Sequence, residues 1–577
     1  MRVLRSSQAT LPSLRMLAVT AAYVFAFLAI IVRLFQVQVL SHAAYKAEAD
    51  KQHLLRAAST ADRGQILTRD HTNENTNQTY VLAANKTFYE IYLNPAEITR
   101  PINTAETLAQ VLGVPYDDAL RRAKKENDVY EPIASRVTEQ QLADIRATGL
   151  AGIHAKEHSW RYYPDGSLGS HVLGFYGIDG DRAVGRYGIE GFWENELAGD
   201  DEAMLVAQDA RGQQIPDVTD GFKRSSNGSD IVLTIDRTAE AEVCKILEKG
   251  VERYAADKGS VIVMESATGR ILSLCNYPTF DPNEYYKVPD VSYFNNDAVY
   301  EAYEPGSVFK PISMAIAIDQ KAVTPATTYD DRGEVRVDDR TIHNFDNKPH
   351  GIRTMTQVLQ ESLNTGAVFA TKTVANTVYL DYVKRFGFGE TTGVELSQES
   401  KGSLGDLVKL RDIYKATTSF GQGITVTPLQ MLTAINVIAA DGKLLKPYIV
   451  DEVRKAEGQA VRSRPTVVRQ VIERETAKTV AAMMTEVAEE GYDKKAAIKG
   501  YYVAGKTGTA QIPEKGGYGD KTNHTFVGFA PSTDAKFSVL IKLYNVKNVG
   551  FAADSTTPIF NEMARFLLKY YRISPTR

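Results

Sequence analysis

The feature that most constrains this chain is one long apolar segment close to its amino end. Residues 16–32 carry no charged side chain, and after Arg33 the apolar character continues to Leu40. A helix needs about 20 residues to cross the hydrocarbon of a bilayer, so the segment predicts a membrane-spanning helix with Arg33 reaching toward an interface. The mean hydropathy of the whole chain is −0.27, which excludes a protein with many membrane spans. We therefore expect one anchor at residues 16–40 followed by a large water-exposed part.

The charges that flank this segment predict its orientation. Arg2, Arg5 and Arg15 precede it, whereas the first acidic residue of the chain is Glu48. Because positively charged flanks stay on the cytoplasmic side, residues 1–15 are expected to form a cytoplasmic tail, with the rest of the chain outside the membrane. A cleaved signal peptide ending near residues 41–43 and a core helix of a soluble protein are the alternatives. We favour a retained anchor because Arg33 interrupts the run and the run exceeds a normal signal core.

Composition excludes several other classes of protein. The 67 basic and 71 acidic residues give a net charge of −4, which argues against a nucleic-acid-binding protein. Hydrophobic residues make up 43% and charged residues 24%, as in ordinary globular chains rather than disordered ones. Cys244 and Cys275 are the only cysteines, so a disulfide scaffold is excluded. These two could pair in an oxidising compartment, but buried free thiols are favoured.

A Gly/Ser/Asn-rich run at residues 221–229 predicts the main domain boundary. Residues 41–225 mix short strands and helices with polar loops, among them residues 72–79. Residues 226–577 begin with strands, continue with a mostly helical middle and end with strands and a helix. This order predicts one α+β domain whose sheet is closed by both ends of that region. The predicted helices are 106–125, 139–148, 237–254, one that begins with a Thr427/Gln430 capping box and ends at Asp441-Gly442, and one that begins at Pro558 with Thr557 as cap.

The first candidate site is the run Tyr303–Lys310, which reads YEPGSVFK. Pro-Gly predicts a turn and the apolar residues that follow predict a helix, so Ser307 is expected at a helix start with Lys310 one turn later. Free N–H groups at a helix start stabilise an oxyanion, and a neighbouring amine can accept the proton of a hydroxyl. The pair therefore predicts a serine nucleophile, although a serine and a lysine three residues apart are a weak signal alone.

Two further patterns follow in chain order. Ser362-Leu363-Asn364 interrupts an apolar helical run, and Lys506-Thr507-Gly508-Thr509 follows an alternating, strand-like stretch. Taken alone, the first is a helix-to-loop transition with local side-chain capping, and the second is an edge strand ending in a turn. Gly508 is expected to permit close approach of a ligand backbone. The order and spacing of the three patterns favour a single site.

Together these motifs resemble those of the penicillin-binding proteins and class A β-lactamases, in which a serine–lysine pair, a second serine and a K-T-G tripeptide occur in this order. The local runs YEPGSVFKP, SLNTG, SFGQGITVTPLQ and VAGKTGTAQ look like those of division-type class B transpeptidases. The amino-terminal region resembles the class B pedestal at Arg63–Leu67, Arg161–Gly166, His171, Gly174, Gly188–Gly191 and Leu197–Gly199. Gly191 and Trp193 depart from the family pattern, and neither belongs to the predicted chemistry. The resemblance covers nearly the whole chain after the anchor.

The resemblance implies an α+β fold in three parts beyond the tail. A transmembrane helix at 16–40 would precede an extended mixed α/β pedestal at 41–225, of the class B dimerisation type. A penicillin-binding transpeptidase domain at 226–577 would then carry an antiparallel sheet covered by helices, as in β-lactamases. The implied reaction is D,D-transpeptidation, which cross-links peptidoglycan stem peptides.

The resemblance also implies the roles of the catalytic residues. Ser307 would attack the penultimate D-alanine carbonyl of a stem peptide and form an acyl-enzyme. Lys310 would act as the base, kept neutral by burial and by the charge of Lys506. Ser362 would relay a proton to the leaving amine, and Asn364 would hold Lys310 and the donor peptide amide.

Substrate binding is implied for the third motif. Lys506, Thr507 and Thr509 would receive the terminal carboxylate of the substrate, with Gly508 between them. The backbone N–H groups of Ser307 and Thr509 would form the oxyanion hole.

The implied partners are peptidoglycan stem peptides, β-lactam antibiotics, the bacterial inner or plasma membrane, a polytopic glycosyltransferase of the shape, elongation and division (SEDS) family and other divisome membrane proteins. No nucleic acid, cofactor or metal is expected, and the spacing of His154 and His158 lacks the zinc-protease pattern. Arg63 and Glu190 are expected to form structural ion pairs at a domain junction. A catalytically vestigial divisome scaffold, an elongation-type transpeptidase and a carboxypeptidase or β-lactamase remain as alternatives.

Overall fold

The computed structural model describes residues 14–41, 54–58, 61–71, 78–126, 128–179, 182–199, 203–207, 226–492, 494–514 and 517–577. The predicted tail up to residue 13, most of the polar loop at 72–79 and the first five residues of the predicted linker lie outside these ranges. The chain divides into two compact units, residues 1–61 with 200–226 and residues 62–199 with 227–577.

The helices have the following bounds: α1 Leu14–Phe35, α2 Pro101–Leu112, α3 Tyr116–Ala123, α4 Glu139–Ala147, α5 Ser170–Leu173, α6 Gly188–Phe192, α7 Glu194–Ala198, α8 Arg237–Arg253, α9 Asp297–Tyr300, α10 Lys310–Asp319, α11 Met355–Gln360, α12 Asn364–Thr371, α13 Asn376–Arg385, α14 Asp412–Thr418, α15 Pro428–Ala439, α16 Arg474–Glu490 and α17 Thr556–Tyr570. Short 3-10 helices occupy Pro95–Glu97, Pro282–Lys287, Val291–Phe294, Gly306–Phe309, Gly405–Lys409, Lys494–Ala496 and Ala552–Asp554.

The strands have the following bounds: β1 Leu54–Ala58, β2 Ile66–Arg69, β3 Tyr80–Leu93, β4 Glu131–Val137, β5 Ile153–Tyr162, β6 Phe175–Asp179, β7 Arg182–Arg186, β8 Ala203–Ala207, β9 Asp230–Asp236, β10 Lys258–Glu265, β11 Ile271–Tyr277, β12 Thr328–Asp331, β13 Glu334–Val337, β14 Arg340–His343, β15 Gly351–Thr354, β16 Lys443–Leu445, β17 Val450–Arg454, β18 Ala460–Arg462, β19 Val467–Gln470, β20 Ala504–Glu514, β21 Gly517–Ala530 and β22 Phe537–Tyr544.

The first unit contains the apolar segment and a two-stranded ribbon. Helix α1 continues into a π-helical turn at Gln36–Leu40, and the stretch Ala18–Leu40 has a mean hydropathy of 2.2. It is long and apolar enough to cross a membrane by length and composition, which agrees with the predicted anchor. Strands β1 and β8 pair antiparallel in the same unit.

A five-stranded antiparallel sheet organises the second unit, in the order β11-β10-β22-β21-β20. Its inner strands come from both ends of the region after residue 226, because β10 pairs with β22 along its whole length. The predicted closure of the sheet by both ends of that region is therefore confirmed. Strand β20, which carries the K-T-G motif, lies at one edge of the sheet.

The two faces of this sheet are covered by different helices. Because successive side chains of a strand point to opposite faces, Val539 and Ile541 pack with α8 and α17, whereas Leu540 packs with α10 and α15. All eight residues of β22 are buried, as expected for a central strand with helices on both faces. The nucleophile segment lies on the Leu540 side.

A second sheet crosses the predicted boundary at residue 225. Strand β2 pairs parallel with β9, and β3 pairs with β2, β4 and β5. A buried ion-pair cluster lies near this junction, where Glu190 accepts from Arg63 Nε at 2.8 Å and from Arg161 Nε at 2.7 Å. The predicted structural pairing of Arg63 with Glu190 is confirmed, and the domain limits remain a prediction.

Several local predictions need correction. The predicted helix 106–125 is two helices, α2 and α3, because Gly113 ends α2 with a φ of +68° and Pro115 is the N-cap residue of α3. The last helix begins at Thr556 rather than at Pro558. Cys244 and Cys275 form a disulfide with their Cα atoms 5.5 Å apart, so the preference for free thiols was wrong. Helix α8 packs on β11 and brings the two cysteines together.

Candidate active site

Ser307 lies in a tight turn that leads into a buried helix. Gly306 adopts a φ of +60°, the 3-10 turn Gly306–Phe309 follows, and α10 begins at Lys310. The Lys310 N–H donates to the Ser307 carbonyl, which places the two residues one turn apart as predicted. Ser307 is half-buried, whereas Lys310 is only 1% exposed.

The run Ser419–Gln430 forms hydrogen bonds with the residues that precede Ser307. Tyr303 and Val426 exchange two backbone hydrogen bonds of 2.9 Å, and Gly306 N donates to Gly421 O at 3.0 Å. Gly423 N donates to Glu304 Oε1 at 3.0 Å. The segment before Ser307 is thus held by one loop, through three backbone hydrogen bonds and one hydrogen bond to the Glu304 side chain.

The Lys310 amine forms hydrogen bonds with Ser362 of the second motif. Nζ donates to Ser362 Oγ at 3.2 Å and also to the Ser362 carbonyl oxygen. Burial lowers the pKa of Lys310 well below its usual value, and the charge of Lys506 lowers it further. A neutral amine close to a serine is what general-base activation of its hydroxyl requires.

Ser362 adopts a left-handed backbone conformation between α11 and α12, with a φ of +55°. A non-glycine residue rarely adopts this conformation, and such strain persists only where the surroundings impose it. Here the strain brings both the carbonyl and the hydroxyl of Ser362 to Lys310 Nζ.

Asn364 does not make the contact that was predicted for it. Its Nδ2 donates to the carbonyl of His343 at 2.9 Å, and both hydrogen bonds of Lys310 Nζ go to Ser362. The reason is a nearby loop, since Asn344 Oδ1 accepts from the Asn364 N–H at 3.0 Å and draws the start of α12 toward residues 343–344. Among the described residues no hydrogen bond joins Asn364 to Lys310, and the role of Asn364 in holding Lys310 and the donor peptide remains a prediction.

A buried polar cluster that no sequence motif signalled supports this second motif. Asp331 Oδ1 accepts from Thr365 Oγ1 at 2.6 Å, and Asp331 Oδ2 accepts from Asn344 Nδ2 at 2.8 Å. Asp331 is 1% exposed and Asn344 is 2% exposed. Because buried polar groups are costly unless they are paired, the cluster fixes the loop against α12.

The third motif lies on the edge strand β20, directly against the turn that carries Ser307. A side-chain carbon added at Gly508 would lie 3.0 Å from Pro305 O and 3.2 Å from Val308 N. Glycine at this position therefore allows close approach of the chain's own backbone, where the sequence had suggested a ligand backbone. An edge strand also has backbone N–H and C=O groups that pair with no neighbouring strand. The oxyanion hole predicted at Ser307 and Thr509 needs such unpaired N–H groups.

The side chains of this strand are held by local contacts. Lys506 is 1% exposed, and its Nζ donates to Thr507 O at 3.1 Å. Thr509 Oγ1 accepts from the Ala552 N–H at 3.0 Å, so its hydroxyl hydrogen remains available to donate to a ligand. The structure thus brings Ser307, Lys310, Ser362 and the K-T-G strand to one place.

The described residues include one grouping with metal-ligand chemistry, away from this site. Glu240, Cys244 and Cys275 bring a carboxylate oxygen and two sulfur atoms within 4.8 Å of one another. The two sulfurs are bonded to each other, so neither is a thiolate ligand. His154 and His158 lie instead against Glu97 and Glu90, at 2.6 and 3.2 Å.

Two family models match the chain. The penicillin-binding protein transpeptidase domain matches residues 259–565, and the penicillin-binding protein dimerisation domain matches residues 58–233. Stage V sporulation protein D of Bacillus subtilis is 32% identical over 89% of this chain and 79% of its own. Peptidoglycan D,D-transpeptidase FtsI of Escherichia coli is 29% identical over 82% of this chain and 77% of its own.

Solved structures agree in fold. Penicillin Binding Protein 2X from Streptococcus thermophilus superposes with a TM-score of 0.74 at 22% identity, covering 90% of this chain and 81% of its own. Penicillin binding protein 3 from Mycobacterium tuberculosis, complexed with aztreonam, gives a TM-score of 0.67 at 25% identity and covers 90% of this chain and 98% of its own.

The fold and the three juxtaposed motifs define a penicillin-binding transpeptidase. The chain belongs to the class B penicillin-binding proteins, with a dimerisation domain and a transpeptidase domain of the peptidoglycan D,D-transpeptidase family.

Proposed function

We propose that this protein cross-links peptidoglycan stem peptides through an acyl-enzyme at Ser307 and acts in septal wall synthesis during division. The observation that carries the chemistry is the buried Lys310, whose amine bonds to Ser362 and whose backbone follows Ser307 by one turn. Relatives named peptidoglycan D,D-transpeptidase support the same reaction.

In the proposed first step, Ser307 Oγ attacks the carbonyl of the penultimate D-alanine and passes its proton to neutral Lys310. The proton then moves through Ser362 to the leaving nitrogen, and the terminal D-alanine departs as a free amino acid. Lys506 attracts the terminal carboxylate, and its charge also disfavours protonation of Lys310 in the free enzyme.

In the second step, an amine of another stem peptide attacks the ester carbonyl and reforms the Ser307 hydroxyl. Backbone N–H groups of Ser307 and Thr509 stabilise the oxyanion in both steps. Asn364 serves the donor peptide through its amide, one N–H of which donates to the His343 carbonyl in the free enzyme.

The proposed setting is a membrane. Helix α1 and the turn after it anchor the chain, with the amino terminus in the cytoplasm and the catalytic domain in the periplasm or outside. We expect the anchor and pedestal to contact a polytopic SEDS glycosyltransferase. Crosslinking from residues 16–40 in membranes should capture that class of protein, and capture of other proteins alone would contradict this partner.

Covalent labelling with fluorescent penicillin distinguishes an active enzyme from a catalytically vestigial scaffold. The full-length protein should label covalently, and Ser307→Ala should not. A donor pentapeptide supplied with an acceptor amine then distinguishes the activities, since a transpeptidase gives the coupled product whereas a carboxypeptidase gives only hydrolysis. An unlabelled wild-type protein would refute the enzymatic proposal.

A role in sporulation is a second candidate for the cellular setting, because one relative is named Stage V sporulation protein D. A fluorescent fusion at native expression decides between the two. Enrichment at the division septum of growing cells supports the septal role, and appearance only in spore-forming cells supports the alternative.

A further inference from the structure

A further buried lysine, besides Lys310 and Lys506, lies beneath the site on the central strand β22. Lys542 is 0% exposed, and its Nζ is 3.8 Å from the ring centroid of Tyr303 and 3.6 Å from that of Tyr544. Within the described ranges, Nζ has no hydrogen-bond partner. A buried ammonium without hydrogen bonds is costly, so the faces of the two rings are its principal stabilising contacts.

The charged groups around Lys542 are few. Lys258 on β10 lies over the Tyr544 ring at 4.5 Å and pairs with Asp297 at 2.8 Å and with Glu301. The residues directly opposite Lys542 on β10 and β21 are Ser260 and Thr525, which are uncharged. Helix α15, which also packs on β22, has no ionisable side chain.

The pKa of Lys542 lies near neutral pH. Burial lowers the pKa of Lys542 to about 7, because the attraction of Glu301 and Asp297 is partly cancelled by Lys258 and does not offset the loss of water. We therefore expect Lys542 to titrate near neutral pH, where an exposed lysine stays protonated.

Lys542 is connected to the region of Ser307 in two ways, through the ring of Tyr303 and through the strand pairing of the sheet. Tyr303, whose ring covers Nζ, lies four residues before Ser307 and is fixed to Val426 by its backbone. Across the sheet, Lys542 is opposite Thr525, and Thr525 is opposite Gly508 of the K-T-G motif. Lys542 therefore lies under the junction between the nucleophile segment and the edge strand.

We propose that Lys542 is a positioning residue for the acylation of Ser307, because its ammonium group between Tyr303 and Tyr544 holds the nucleophile segment against the sheet. The inference rests on the proposed function, since it concerns acylation at Ser307. Loss of the proton removes the attraction between the cation and the rings and loosens Tyr303.

The test compares second-order rates of acylation by fluorescent penicillin from pH 5.5 to 9 in the full-length protein. The rate of the wild type is divided by that of Lys542→Met, so that the titration of Lys310 cancels. This ratio should be on the order of three to ten below pH 6 and approach one above pH 8. The matched control Lys547→Met, which removes an exposed lysine just beyond β22, should give a ratio near one throughout.

A second variant covers the case in which Lys542→Met does not fold. Tyr544→Leu removes one ring without altering the nucleophile segment and should lose rate below pH 6 but not above pH 8. A wild type that labels normally with ratios independent of pH would overturn the inference and leave the proposed function intact. A wild type that does not label at any pH would instead refute the proposed function.

Discussion

Gly421 offers a sharp test of how the nucleophile is positioned. Its φ is +82°, and a side-chain carbon at this position would lie 2.2 Å from Gly306 O and 2.6 Å from Gly306 N. Non-bonded carbon atoms prefer separations of about 3.5–4.0 Å, and the obstructing atoms belong to the backbone rather than to a flexible side chain. Gly421→Ala must therefore displace Gly306, and Ser307 with it, by roughly 1 Å.

The expected cost follows from that displacement. A misplacement of about 1 Å between reacting groups lowers the rate on the order of 100-fold. The left-handed backbone conformation adds about 1–2 kcal/mol of strain, which affects stability rather than chemistry. We expect acylation by fluorescent penicillin to slow by about two orders of magnitude while the protein still melts cooperatively.

Gly423→Ala is the matched control for this variant. Gly423 has a φ of +79° in the same loop, and an added carbon would lie 3.5 Å from Thr417 Oγ1, an ordinary contact. The control therefore carries the backbone strain without the clash, and its acylation rate should stay within about threefold of the wild type. Equal rates in the two variants would refute the conclusion that the loop positions Ser307.

Three further outcomes are expected. Glu190→Gln should lower the free energy of unfolding by about 3–5 kcal/mol in a denaturant titration, because buried Arg161 loses its carboxylate partner while Arg63 keeps only Glu194. An unchanged midpoint would contradict this. Thr365→Val should cost about 1–3 kcal/mol by the same measurement through the lost hydrogen bond to Asp331, and added stability would count against that cluster. In the wild type, the charge of Lys506 lowers the pKa of Lys310, and only neutral Lys310 accepts the proton of Ser307. Lys506→Gln should therefore raise the pKa of Lys310 and shift the acid limb of the pH profile of acylation to higher pH. A shift to lower pH would refute this coupling.

Local signals in the sequence predicted much of the fold. The Thr427/Gln430 capping box begins α15 as expected, because both residues of the box and the proline at its first turn act within one helical turn. The apolar segment was likewise evident from its pattern, and the region after residue 226 begins and ends with strands as expected, although the K-T-G motif lies within β20 rather than after it. Helices α2 and α3 were merged in the prediction because the break between them is only three residues long.

Contacts between distant segments could not be predicted in this way. The partner of Asn364 depends on Asn344, which belongs to no recognised motif. The pairing of Cys244 with Cys275 depends on how α8 packs on β11. The two rings around Lys542 come from positions far apart in the chain, and its strand otherwise reads as an ordinary buried strand.

The resemblance to a family supplied what local patterns could not. Ser307 and Lys310 were predictable as neighbours from the helix alone, whereas the contact between Lys310 and Ser362 required motifs far apart in the chain to be recognised together. The clash at Gly421 was not signalled, since a glycine in a loop has many explanations until the backbone it meets is known.

The most direct test of the central claim is the site of covalent modification by a β-lactam. Full-length protein is incubated with benzylpenicillin, digested and analysed by mass spectrometry. We predict one added drug mass on a single peptide, at Ser307, and no adduct in Ser307→Ala although that variant melts nearly as the wild type does. An adduct that persists in Ser307→Ala, or that maps to another serine, would contradict the account.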